Sequence, residues 1–284
     1  MTTDPLRDTL VDLALMLKPD HIELIVGGGY GLVLRSEMIA KREHFSRFGI
    51  NTIVRSTGDL DCFLGAEVVS DSAKTRRIAE ALESMGFTAI QRYWQFSKSI
   101  GDRGEIHIDL LAADVPAPLV ANIQRPNDSR RFRPRGFDKL HGRRTPEAVT
   151  VQRLPSRVDA SRDGRDAFVL IPHPLSFILM KLFAFRDRIV QADDDYGAYH
   201  AFDILQSIDS MNHEEWDQTP EFLDDPVATS TVTEAREIVR QLLSSPYADG
   251  SVRLIDYARS KQNVPITAQQ LEHFVNELKD LLKV

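Results

Sequence analysis

Cysteine is nearly missing from this chain of 284 residues: Cys62 stands alone. One thiol cannot close an intramolecular disulfide, and no Cys-rich zinc site can form. Such usage suits a reducing cytosol. Long apolar runs are missing as well. No stretch of about 20 apolar residues occurs, so no membrane span is expected. The first ten residues include Asp4, Arg7 and Asp8 and do not read as a signal peptide. A cytoplasmic protein is the expectation. No Gly-Lys-Ser/Thr follows a glycine run, which excludes a P-loop. Neither His-Asp nor His-Glu-x-x-His occurs, which counts against the metallohydrolases. The net charge of -7 argues against a generally cationic coat for nucleic acid. Internal repeats and low-complexity tracts are lacking too.

What is present reads as an ordinary globular protein, with 42% apolar and 27% charged residues, long enough for one large domain or two modest ones. Leu6, Leu10, Leu13 and Leu17 have helical spacing. His21–Val26 reads as a strand, and Tyr30–Ile39 returns to a helical pattern. Thr57–Leu64 alternates as a strand does. Asp71–Met85 reads as an amphipathic helix closed by Gly86. Thr88–Ser97 and Glu105–Ala112 read as strands joined by a turn. Two further short strands are expected at Val149–Leu154 and Ala167–Ile171. From Pro174 onward the pattern is helical. The expected class is α+β: a mixed sheet with flanking helices in residues 1–170, then a C-terminal helical bundle in residues 171–284.

Asp59-Leu60-Asp61 lies inside an expected strand. Alternation sends both carboxylates to one face and Leu60 and Cys62 to the other. Two neighbouring carboxylates repel unless a cation sits between them, and hard oxygens suit Mg²⁺. Asp109 sits in Ile106-His107-Ile108-Asp109-Leu110, a second alternating strand. If the two strands are neighbours, three carboxylates can hold two Mg²⁺ ions, an arrangement able to activate a hydroxyl and stabilise a leaving pyrophosphate. His107 would share the face of Asp109, as a structural histidine or as a group near the metals.

Gly27-Gly28-Gly29 follows a strand and opens a helix. It is either a tight turn with no ligand or a cradle whose N–H groups approach a phosphate. The dinucleotide fingerprint does not fit, because position 32 is Leu. Residues 125–144 carry eight Lys or Arg against two Asp, with Pro126, Pro134 and Gly136. They read as a basic loop or irregular insertion. Arg130, Arg131, Arg133, Arg135, Arg143 and Arg144 surround Phe132 and Phe137. That mixture is either a solvated loop or a contact for single-stranded RNA, with phosphates on arginine and bases on rings. Lys181 shares a helical stripe with Phe177, Ile178, Phe185 and Arg188. It either snorkels or carries its charge to a phosphate.

Val26-Gly27-Gly28-Gly29-Tyr30-Gly31-Leu32, then Arg55-Ser56-Thr57-Gly58-Asp59-Leu60-Asp61, then Ile108-Asp109-Leu110 resemble the nucleotidyltransferase superfamily. Met180-Lys181-Leu182-Phe183-Ala184-Phe185-Arg186-Asp187-Arg188, followed by His200-Ala201-Phe202-Asp203-Ile204-Leu205, is similar to the AbiEii-like toxins of type IV toxin–antitoxin systems. The likeness runs in pieces over residues 22–208. It implies a nucleotidyltransferase-like sheet and the transfer of a nucleotide from NTP, such as ATP, to a hydroxyl. RNA, in particular tRNA, is the implied acceptor, held through Arg130–Arg144, with a cognate antitoxin as a further partner. The implied nucleotide-binding residues are Gly28, Gly29, Tyr30, Lys181 and Arg188. The implied metal ligands are Asp59, Asp61 and Asp109, with Asp109 also a base, Lys181 a phosphate contact and Asp203 a further acid. Two other expectations stay open: a small-molecule nucleotidyltransferase acting on an aminoglycoside-like acceptor, and a catalytically silent nucleotide-binding protein of the same fold.

Overall fold

A computed structural model of the chain describes residues 4–41, 46–50, 57–124 and 130–284, without the side chains of Arg103, Asp193 and Asp194. Arg55 and Ser56 of the quoted stretch before Asp59, and residues 125–129 at the head of the basic segment, lie outside the described residues. The described chain is α+β, with a mixed ten-stranded sheet and many helices. It divides into two compact units. The first holds residues 1–38 and 56–172, and the second holds residues 39–55 and 173–284.

The first unit is built on β1 (Ile25–Val26), β2 (Asp59–Phe63), β3 (Thr88–Gln91), β4 (Gln95–Ser99) and β5 (Glu105–Ala112). It continues with β6 (Ile123–Gln124), β7 (Arg131–Pro134), β8 (Gly142–Arg144), β9 (Ser156–Asp159) and β10 (Phe168–Ile171). The strands run in the order β6-β7-β8-β5-β2-β1-β10-β9, with β4 also on β5 and β3 outside β4. One edge of β5 pairs in parallel with β2. Its other edge pairs with β4 along residues 105–109 and with β8 at residues 111 and 112.

Alternation explains which face of the sheet is core. Ile106, Ile108, Leu110 and Ala112 are buried, while Glu105 is exposed and His107, Asp109 and Leu111 are half-buried. Helix Pro5–Leu17 contributes Leu6, Leu10, Leu13 and Leu17 to that core, the four positions its spacing singles out. It starts where Asp4 Oδ1 accepts from the Arg7 N–H at 3.0 Å, with Pro5 at the first helical position. Helix Ser72–Ser84 begins the same way on Asp71, which accepts from the Ala73 and Lys74 N–H groups. It stops at Gly86, whose φ of +83° suits glycine.

Four expectations are corrected. The single strand at Thr88–Ser97 is a hairpin, β3 and β4, because Arg92 and Tyr93 turn the chain. The strand at His21–Val26 shrinks to Ile25–Val26, because Lys18–Asp20 form a 3₁₀ turn and His21 takes φ +53°. Val149–Leu154 is not a strand. Its buried apolar residue Val151 sits on a local turn, with Val151 N–H bonded to Ala148 O and Arg153 N–H to Thr150 O, while Leu154 is exposed. The basic segment is not an irregular loop where it is described. Arg131–Pro134 and Gly142–Arg144 form β7 and β8, which extend the sheet beyond β5 and flank a turn at residues 135–141, and Phe132 is fully buried.

The second unit is helical, with its longest elements at Pro174–Arg188, Ala198–Asp209, Thr229–Leu242, Asp249–Lys261 and Ala268–Leu282. Residues 46–50 belong to it. Asp209 accepts from Ser46 Oγ and, at 2.7 Å, from the Phe48 N–H, while Arg47 pairs with Glu277 at 3.0 Å. Among the described residues no helix is long and apolar enough to cross a membrane.

Candidate active site

The neighbouring strands β2 and β5 put their acids in register. Asp59 stands opposite His107 and Asp61 opposite Asp109. Parallel partners point to the same side, so all four share the face opposite Leu60, Cys62, Ile108 and Leu110. Strands lie about 4.8 Å apart, so the Asp61 and Asp109 carboxylates are immediate neighbours across the ladder. Asp59 is exposed, one pleat back from that pair.

The glycine turn closes on the same point. The Gly27 N–H bonds to the Asp61 carbonyl at 2.8 Å, and Gly31 N–H to Gly27 O at 2.7 Å starts helix Gly28–Ala40. Gly28 takes φ +57°, and a Cβ there would lie 1.6 Å from Asp61 Oδ2. No other residue fits that position while Asp61 keeps its place. The backbone at the helix N-terminus thereby lies directly against the carboxylate, where N–H groups favour an anion.

Asp109 is held on its other side by Gln95, whose Nε2 donates to Oδ1 at 2.7 Å. Burial pushes its pKa up to about 6; the Gln95 bond opposes this, while Asp61 and Asp59 add to it. Behind the pair, burial lifts the Cys62 thiol to about 12, with Asp61 and Asp109 adding to the shift, so this cysteine is an inert core group.

The chemistry of these donors fits a hard divalent cation. Their side chains as they stand do not enclose one: among the described residues, no three Asp, Glu, His or Cys groups come together closely enough to hold a metal ion.

Tyr30 does not present its ring to this face. It is buried in the core, and its hydroxyl donates to Asp4 at 2.9 Å. Only its backbone is left for a ligand. Lys181 and Asp203 lie in the second unit, where Lys181 Nζ meets Asp203 Oδ2 at 2.6 Å, both buried. Lys181 thus neither snorkels nor stands alone. Arg188 Nη1 lies 2.9 Å from His200 Nε2. His107 Nε2 lies 3.7 Å from Glu105 Oε2.

The basic segment splits in two. Arg133, Arg135 and Arg144 are engaged locally, by Gln124, by the Ala121 carbonyl and by Asp114. Arg130, Arg131 and Arg143 line a cavity of about 510 Å³ together with Arg92, Trp94 and Asp109, and Arg131 is also bonded locally, to the Arg92 carbonyl and beside His141. The Arg143 guanidinium lies over the Trp94 ring at 4.9 Å. Arg92, Trp94 and Gln95 carried no motif in the sequence. The signal for them was positional: they enter the strand that pairs with β5 next to Asp109.

No protein-family model and no curated protein matches this sequence. A solved structure, the antibiotic-resistance factor ANT(2'')-Ia, is similar at 13% identity and a TM-score of 0.40, over 74% of this chain and 86% of that one. A likeness this slight carries no argument about activity.

Proposed function

We propose that this chain is a Mg²⁺-dependent nucleotidyltransferase that moves a nucleotide from an NTP to a hydroxyl of RNA. The observation that carries the reading is the meeting of Asp61, Asp109 and Gly28: two acids opposed on parallel strands, with a glycine N-terminus pressed against one of them.

In this reading the N–H groups of Gly28 and Gly29 hold the triphosphate. Asp59, Asp61 and Asp109 would hold Mg²⁺, which would supply neutralising charge for the transferring phosphate and the leaving pyrophosphate. The acceptor oxygen attacks the α-phosphorus, the bond from that phosphorus to the bridging oxygen breaks, and pyrophosphate departs. Asp109, held by Gln95 on the side away from β2, accepts the hydroxyl proton. Lys181 is already engaged by Asp203, so we assign that pair first to the integrity of the second unit.

The arginine-lined cavity beside Asp109 favours an anionic acceptor over a polycationic aminoglycoside. The likeness of residues 180–188 and 200–205 to AbiEii-like toxins supports a toxin or phage-defence setting, with tRNA as acceptor and an antitoxin as partner. Incubation with labelled NTP, Mg²⁺ and bulk tRNA tests the reading. Wild type is expected to label RNA, and Asp61→Ala to abolish labelling. Equal labelling by the variant refutes the site. A silent nucleotide-binding protein would bind NTP and label nothing.

A further inference from the structure

Asp109 has two flanks. On one lie β2, Asp61 and the glycine turn. On the other, where β4 and β8 both begin, lies the arginine-lined cavity. Its walls are tied together. The Trp94 carbonyl accepts from the Leu110 N–H at 2.8 Å, beside Asp109. The turn carrying Arg92 and Tyr93 takes φ +39° and +64°, left-handed values that cost side-chain-bearing residues on the order of 1–3 kcal/mol each. It is held in that shape by Tyr93 O, which accepts from the His141 N–H at 2.7 Å. Arg131 Nη1 donates to the Arg92 carbonyl at 3.3 Å and lies 3.0 Å from His141 Nδ1. The surrounding chain thus keeps a strained turn that sets Arg92 and Trp94 at the cavity.

We propose that this cavity holds one nucleotide of the RNA acceptor, its phosphate on the arginines and its base on Trp94. The inference rests on the nucleotidyl-transfer reading for the identity of the acceptor and deepens it. Three observations carry it. The volume of about 510 Å³ falls within the range of about 300–1,000 Å³ usual for small-ligand sites, so it suits one nucleotide and not a helix. Four arginines against one carboxylate make it an anion site within a chain of net charge -7. An indole beside guanidinium groups is the pairing that single-stranded nucleic acid uses, base on ring and phosphate on cation. Asp109 in its wall sets the cavity beside the paired acids of β2 and β5.

Binding of a fluorescein-labelled single-stranded RNA hexamer, measured by anisotropy without NTP or Mg²⁺, tests the proposal apart from catalysis. Trp94→Ala should weaken binding about five- to a hundredfold, and Trp94→Phe should restore most of it. Arg143→Ala and, as an exposed position less prone to disturb the fold, Arg92→Ala should each lower the slope of log K against log salt by about 0.7. Adenosine monophosphate should displace the hexamer where adenosine does not. Hexamer binding that is indifferent to all four variants, or displacement by the aminoglycoside neomycin at the cavity, overturns the proposal. Asp61→Asn separates the two ideas. If it binds RNA normally and wild type transfers no nucleotide, the cavity stands and the transferase reading falls. If wild type labels RNA and the cavity variants bind and label as well as wild type, the reverse holds.

Discussion

A carboxyl at the position of Asp109 faces two penalties: partial burial and the neighbouring charges of Asp61 and Asp59. Both favour its protonated form in the fold, so the folded chain binds this proton more tightly than the unfolded one between about pH 4 and pH 6. The contribution to stability is fully present below the unfolded value of 3.8 and is lost as pH rises through the folded value of about 6. A shift of this size corresponds to an upper bound of about 3 kcal/mol, which partial exposure reduces. Asp109→Asn should therefore melt higher than wild type at pH 7 and no higher at pH 4, read by thermal denaturation across that range. A constant difference between the two proteins at all pH values would contradict the assigned cause. Gly28→Ala makes a second prediction at this scale. A Cβ meets Asp61 Oδ2, and φ is +57°. The left-handed backbone alone costs about 1–2 kcal/mol, so the melting temperature should fall by several degrees and NTP labelling should be lost with it. Side-chain alternation made the shared face of Asp59 and Asp61 legible in the sequence. The register that opposes Asp61 to Asp109 was not, because pairing between strands so far apart along the chain is set by the whole sheet. Nor was the inward turn of Tyr30, which depends on Asp4 at the start of the first helix.

Among the elements, the basic segment shows how composition can mislead. Its arginines, prolines and glycine resemble a loop, yet Arg131-Phe132-Arg133-Pro134 alternates half-buried and buried positions as a strand does. The sheet supplies what the composition withholds: β8 pairs with β5 on one side and β7 on the other. Phe132, fully buried, is the apolar anchor of that extension and is not a ring offered to RNA. Phe132→Ala should cost about 3–5 kcal/mol in chemical denaturation. RNA binding should fall only insofar as the arginines of β7 and β8 lose their positions. A loss below about 1 kcal/mol would mean the segment is a loop in solution. Helices with strong periodicity and a capping aspartate, Pro5–Leu17 and Ser72–Ser84, were legible to within a residue or two. Short elements such as Ser156–Asp159 were not, since four residues hold too little pattern to separate strand from turn.

For the whole molecule, the proposed transfer raises the question of whether a buried ion pair of the helical unit takes part in it. Lys181 and Asp203 are its most polar buried pair, at 2.6 Å, with Asp203 wholly inaccessible. Two origins explain such a pair. Either it positions the helices Pro174–Arg188 and Ala198–Asp209 against each other, or its charges serve the reaction. Stability and activity separate these. Lys181→Met removes the cation facing a buried carboxylate, which should cost about 3–5 kcal/mol. Replacing both, Lys181→Met with Asp203→Leu, removes the charges together, and stability should return to near the wild-type value. The decisive measurement is labelled-nucleotide transfer by the double variant, once melting shows it folded. Retained transfer makes the pair a packing device of the second unit, the outcome expected from the mutual engagement of its charges. Transfer lost in a folded double variant would instead give the pair a direct part in catalysis, and the sheet alone would then be an incomplete enzyme.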